Sequence, residues 1–135
     1  MQELWEVSHV SVSIRKSPEE VYEFAAKPEN WPSWARGLAG TMEQVDGVWV
    51  ADSPMGKVRV RFAEKNAFGV LDHDVTLPSG VTVHNAFRVL PNSEGSEVVF
   101  SIFRRPEMSR EEFLRDQNAV NADLKALKAL IERSK

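Results

Sequence analysis

The sequence predicts an α+β domain in which one antiparallel sheet of seven strands is covered by a single long C-terminal helix. Three observations predict it. From Thr41 to Arg104 the chain alternates apolar and polar side chains between turn signals, the pattern of consecutive hairpins. One more alternating stretch, Glu6–Ile14, precedes them, with two short helical starts in between. Ser109-Arg110-Glu111-Glu112 then forms a capping box and opens a helical pattern that runs to about Arg133. Such a sheet must bury one face, and only this last helix is long enough to cover it.

Each element follows from local chemistry. In Glu6–Ile14, Val10, Val12 and Ile14 share one face, and Ser11 and Ser13 share the other. Ser17 caps the next helix, Pro18 suits its first position and Glu20 completes the capping box. That helix is expected to bury Val21, Phe24 and Ala25 and to stop at Pro28, and Asn30-Trp31-Pro32 starts a second one ending near Gly37. Asp46-Gly47 is a two-residue hairpin turn; pairing Val45 with Val48 puts Met42, Gln44, Trp49 and Ala51 on a common face. A turn at Pro54-Met55 sets Asp52 opposite Lys57 and Trp49 opposite Val60. Lys57, Arg59 and Arg61 then face solvent, while Val58, Val60 and Phe62 face inward.

The loop Pro78-Ser79-Gly80 pairs Leu77 with Val81 and, counting back, His73 with Asn85. The inner face of this hairpin carries Leu71, His73, Val75, Leu77, Val81, Val83, Asn85, Phe87 and Val89. Its outer face carries Asp72, Asp74, Thr76, Thr82, His84 and Arg88; a slip of one residue would invert the pattern. The last strand, Glu97 to Arg104, turns Val98, Phe100 and Ile102 inward. The long helix has an apolar stripe of Phe113, Val120, Leu124, Leu127 and Ile131, with Gln117 on the same line. Its N-terminal half is the more polar, which predicts that this half faces something other than a dry core.

Composition narrows the function. With 135 residues, 42% of them hydrophobic and 27% charged, the chain reads as one globular domain, 1–135. The absence of cysteine excludes a disulfide framework, a thiolate nucleophile and any sulfur-ligated metal. A formal charge of −3 argues against general attraction to nucleic acid. No apolar run approaches the roughly 20 residues that span a bilayer, and Met1–Arg15 lacks the apolar stretch of a signal peptide. The expectation is a soluble cytoplasmic domain without stable membrane insertion, a monomer or weak homodimer.

His73 and Asn85 stand out as polar groups side by side on an apolar face. An imidazole there can act as general acid or base near neutral pH, or it can be a buried histidine hydrogen-bonded to Asn85 or to backbone. Gln44 and Gln117 are further uncharged polar groups on inward lines, able to orient a ligand oxygen; Gln44 reads first as a rim residue in water. Trp31, Trp34 and Trp49 supply apolar walls, the first two either guarding an entrance or packing in the core. Val60, Leu71, Val75, Val83, Phe87, Phe100, Phe113 and Val120 complete the expected lining. Asp72-His73-Asp74 resembles a proton relay only on paper, because strand alternation sends both aspartates to the opposite face. His9, His73 and His84 lack the spacing of a metal-ligand pair, so neither metal nor cofactor is expected.

The stretches VSVSI to SPEEVYEF (Val10–Phe24), PENWPSW (Pro28–Trp34), PMGKVRVRF (Pro54–Phe62), FGVLDHDVTLPSG (Phe68–Gly80) and GSEVVFSIFR (Gly95–Arg104) together span most of the chain. In this order they resemble the START-like (SRPBCC) superfamily of helix-grip domains, and more closely its polyketide cyclase/dehydrase-like branch. The resemblance implies a sheet curved around the C-terminal helix, with a small apolar or amphipathic molecule, lipid-, aromatic- or polyketide-like, held between them. It also implies two alternatives: a cyclase- or dehydratase-like enzyme using His73 as acid or base, and a protein-interaction or regulatory module. Shared fold does not choose among them.

Overall fold

The computed structural model describes residues 3–35, 39–54 and 56–133. Its elements are β1 (Val7–Ile14), α1 (Pro18–Ala25), a short 3₁₀ helix (Pro28–Ser33), β2 (Ala39–Val45), β3 (Val48–Ser53), β4 (Gly56–Phe62), β5 (His73–Thr76), β6 (Thr82–Asn92), β7 (Gly95–Phe103) and α2 (Arg110–Arg133). The seven strands form one sheet in the order β1-β7-β6-β5-β4-β3-β2. Every pairing is antiparallel, and β1, first in sequence, joins the far edge by pairing with β7.

The hairpin registers are those the turn residues dictate. Val45 lies opposite Val48, Trp49 opposite Val60, and Asp52 opposite Lys57, where an ion pair closes at 3.2 Å. His73 faces Asn85 and Asp74 faces His84 across β5 and β6. Both helices open on serine caps. Ser17 Oγ accepts from Glu20 N–H at 3.2 Å in α1. In α2, Ser109 Oγ accepts from Glu112 N–H and Glu112 Oε1 accepts from Ser109 N–H, at 3.1 and 3.0 Å.

The main core lies between the sheet and the C-terminal half of α2, where Leu124, Leu127 and Ile131 meet Ile14, Val60, Phe87 and Val98. Under the first turns of α2, Phe113 packs in a smaller cluster with Ile102 and Met108. Three details differ from expectation. Tyr22 rather than Phe24 is the buried aromatic of α1, because its hydroxyl oxygen accepts the Asn66 N–H at 3.0 Å and anchors the loop before β5. Val81 is exposed at the hairpin tip, beyond the reach of α2. The 3₁₀ helix is described through Ser33; its expected end near Gly37, like turn residue Met55, lies outside the described residues.

Candidate functional site

The site is made where two neighbouring strands separate. β6 pairs with β5 through Thr82–Asn85 and with β7 through Ala86–Asn92. β7 stays with β1 to its end: Ile102 lies opposite Ser8, Phe103 opposite Val7, and Arg104 N–H bonds Glu6 C=O at 2.8 Å. Beyond the Ala86–Ser101 pair, therefore, β6 and β7 part company. The Leu77–Val81 bond fixes which β6 groups point to β5, so alternation turns the Thr82 and His84 backbone N–H and C=O into the gap.

The N-terminal half of α2 passes this gap and leaves a cavity of about 620 Å³. Its apolar wall is Val75, Leu77, Val83, Phe100, Ile102 and Val120. Asn85 sits in that wall, Asp116 and Arg105 stand on the helix side, and Trp5, 51% exposed, lies on the rim. Burial raises the Asp116 carboxyl above its ordinary range, and Arg105 opposes that rise. Volume and composition both suit a small amphipathic molecule.

Behind Asn85 lies His73, 4% exposed, enclosed by the rings of Trp31, Phe62, Phe87 and Phe100 at 4.8 to 6.1 Å between centroids. Its Nδ1 is 3.0 Å from the Leu71 carbonyl oxygen. A carbonyl only accepts, so Nδ1 carries the proton. Burial pushes the ring's pKa below its ordinary value and keeps it neutral, the Leu71 bond and the Asp72 charge opposing that shift. Nε2 lies 3.4 Å from Asn85 Nδ2.

The Leu71 carbonyl is available because Asp72 stands in for it. Leu71 N–H bonds Phe87 C=O at 2.8 Å, and a regular ladder would return Phe87 N–H to Leu71 C=O. Instead Phe87 N–H donates to Asp72 Oδ1 at 2.9 Å. The same carboxylate takes Arg88 Nε and Nη2, both at 2.8 Å, and this bidentate pair holds its pKa below the usual carboxylate range. Asp74 receives His84 Nδ1 at 2.7 Å on the outer face. Neither aspartate touches the His73 ring, in keeping with the alternation argument.

Of the residues singled out from sequence, Val75, Val83, Asn85, Phe100 and Val120 line the cavity. Val60, Leu71, His73, Phe87 and Phe113 are buried in the core. His73 is therefore on the expected face but one layer behind the cavity wall. Trp31 and Trp34 are buried too, which makes them core rather than entrance residues; Trp31 Nε1 bonds Ala25 C=O at 2.7 Å. Among the described residues, Trp34 Nε1 is the one buried side-chain donor without a partner. Trp49 packs half-buried against the core and Gln44 is exposed rather than turned inward; neither lines this cavity. Gln117 is partly buried, its Oε1 accepting Ser8 O–H at 3.0 Å. His9 is exposed, bonded to Ser101 Oγ at 2.8 Å. Sequence reasoning missed Trp5, Leu77, Thr82, His84, Ile102, Phe103, Arg105, Asp116 and Ala119 as cavity residues. For Asp116 and Ala119 the signal existed: four and one residues before Val120, they flank the helix stripe.

Sheet, helix and side cavity together define a helix-grip domain. A family model described as polyketide cyclase/dehydrase and lipid transport matches residues 7–132, and the chain belongs to that family. The fold is shared with the protein XoxI from Bacillus cereus, at 19% identity over 93% of this chain and 94% of that one, with a TM-score of 0.74. The Zhui aromatase/cyclase from Streptomyces sp. R1128 aligns at 14% identity over 96% and 95% of the two chains, with a TM-score of 0.74. Ara h 8.0201 aligns at 14% identity over 96% and 99%, again with a TM-score of 0.74. At such identities the likeness is one of fold. No curated protein matches the chain in sequence. No helix among the described residues is long and apolar enough to cross a membrane.

Proposed function

We propose that this domain binds a small amphipathic molecule, its apolar body in the cavity beside α2 and its polar end at Asn85. One observation carries the reading: an apolar cavity of about 620 Å³ with a single uncharged amide in its wall, at the place where β6 and β7 separate. The family's description, polyketide cyclase/dehydrase and lipid transport, supports a ligand of that kind. His73 serves this function through Asn85 and does not meet the ligand, so acid–base catalysis by its ring is no part of it.

The test uses 2-methoxynaphthalene as an apolar probe, titrated by calorimetry into the wild type and into Ala119→Trp. Ala119 is an exposed α2 residue on the cavity wall, so the larger side chain can fill the space without entering the core. Binding to the wild type and a loss of at least about tenfold in the variant are expected, the equivalent of about 1.4 kcal/mol. Equal affinity for both proteins would place the ligand elsewhere.

A further inference from the structure

Asn85 touches the cavity on one side and His73 on the other, and the second contact determines what the first can offer. The Leu71 carbonyl, 3.0 Å from Nδ1, can only accept, so the neutral ring keeps its single proton there and leaves Nε2 with a lone pair. A group facing a lone pair must donate. Asn85 therefore presents its amide nitrogen to Nε2, at 3.4 Å, and its carbonyl oxygen is left for the cavity. The opposite orientation would set a carbonyl oxygen against the Nε2 lone pair in a site almost without water, where an unpaired acceptor costs on the order of 1–3 kcal/mol.

This chain of constraints starts outside the cavity. Asp72 takes the Phe87 N–H at 2.9 Å and so leaves the Leu71 carbonyl free for His73. Arg88 in turn locks that carboxylate from the outer face. Outer-face charge, ladder carbonyl, ring tautomer and amide orientation thus form one sequence of hydrogen bonds, each link leaving the next a single choice.

We infer that Asn85 Oδ1 is a fixed hydrogen-bond acceptor in the cavity wall, that the polar end of the ligand is therefore a donor such as a phenol, enol or alcohol O–H, and that Asp72 is the positioning residue for this selectivity. The inference rests on the cavity being the ligand site and names the ligand chemistry that site selects. A ketone, ether or carboxylate brings another acceptor to Oδ1 and is disfavoured.

The experiment compares 2-naphthol, 2-methoxynaphthalene and 2-acetonaphthone, which share an apolar body and differ in whether the polar group donates. Calorimetric titration of the wild type should show 2-naphthol binding about tenfold more tightly than either acceptor-only probe. Asn85→Leu should bring all three within about twofold of one another. Long-range ¹H–¹⁵N correlation spectra of the ligand-free protein should show His73 protonated at Nδ1 and bare at Nε2. In Asp72→Ala the freed Phe87 N–H competes for the Leu71 carbonyl, so this signature should weaken and the preference for 2-naphthol should fall with it. Equal affinity of the three probes for the wild type would overturn the donor selectivity while leaving the cavity reading intact. Failure of all three to bind would overturn both. An Nε2-protonated His73 would overturn the orientation of Asn85 without any variant having to fold.

Discussion

Replacing Asp72 by alanine tests the energetics of this arrangement apart from any ligand. In the native fold two donors, Phe87 N–H and His73 Nδ1–H, share two acceptors, Asp72 Oδ1 and Leu71 C=O. Asp72→Ala leaves one acceptor for both. Either Leu71 C=O keeps His73 and the Phe87 N–H is orphaned, or that oxygen, with two lone pairs, takes both donors at poorer geometry for each. Both sites are buried, Phe87 at 0% and His73 at 4% exposure, so either outcome costs about 1–3 kcal/mol. The lost pair with Arg88 adds less than about 1 kcal/mol, because that guanidinium is 48% exposed. A total of about 1–4 kcal/mol fits within the 5–15 kcal/mol typical of a domain, so the variant should remain folded. Asp72→Asn retains an acceptor for Phe87 N–H and gives up the charge and the half-exposed bond from Arg88 Nη2, and should lose about 1 kcal/mol or less. The assay is urea unfolding followed by the fluorescence of buried Trp31 and Trp34. Equal losses in the two variants, or a loss below about 1 kcal/mol in Asp72→Ala, would refute the shared-acceptor account.

Two further outcomes follow from the same structure. Because His73 has its pKa lowered on folding from an ordinary 6.5, the unfolded chain binds a proton that the native state refuses. Its share of stability is complete above pH 6.5 and declines as pH falls from there towards the lowered folded value, by about 1.4 kcal/mol per pH unit within that window. Urea midpoints between pH 8 and 5 should show the decline in the wild type and its loss in His73→Gln; identical profiles would remove His73 as the source. Gly69 has φ +73° and accepts Val89 N–H at 2.8 Å, and an added Cβ would lie 2.2 Å from the Val89 carbonyl oxygen. Gly69→Ala should therefore lose about 2–5 kcal/mol, from the left-handed backbone together with the forced separation of the two strands. Gly80→Ala, at φ +94° with nothing within 4 Å, should lose only about 1–2 kcal/mol, and equal losses would show that the backbone contact at Gly69 is irrelevant.

The strand registers were legible because turn residues set them locally. Asp46-Gly47 and Pro78-Ser79-Gly80 each fix the first pair of a hairpin, and a period of two carries that choice along β5 and β6 and, in β2, as far as Glu43, beyond which the register with β3 shifts. The Asn85–His73 pair was legible for the same reason: it follows by counting from Leu77–Val81. The depth of His73 was not. Whether an inward side chain reaches a cavity or stops beneath it depends on what packs over it, and the rings of Trp31, Phe62, Phe87 and Phe100 come from four different elements. The departure of Phe87 N–H from the ladder was hidden as well, since alternation places Asp72 outward but says nothing of a carboxylate reaching back to its neighbour's backbone.

The cavity itself arises from a mismatch of lengths that no single segment records. β6 has 11 residues, β5 has 4 and β7 has 9, and the first residues of β6 extend past the end of its pairing with β7. β7 beyond Ser101 keeps β1 on one edge and β6 before Ala86 keeps β5 on one edge, while the edges they turn to each other stay apart. The helix above reflects this in its own composition. Leu124, Leu127 and Ile131 cover the closed part of the sheet, whereas Asp116, Ala119 and Val120 overlie the opening. A fully apolar first half of α2 would bring large side chains to the gap and fill it; alanine at 119 and a carboxyl at 116 keep it open. The polarity of that half-helix, visible in the sequence as a weakness in the apolar stripe, is thus the mark of the space beneath it.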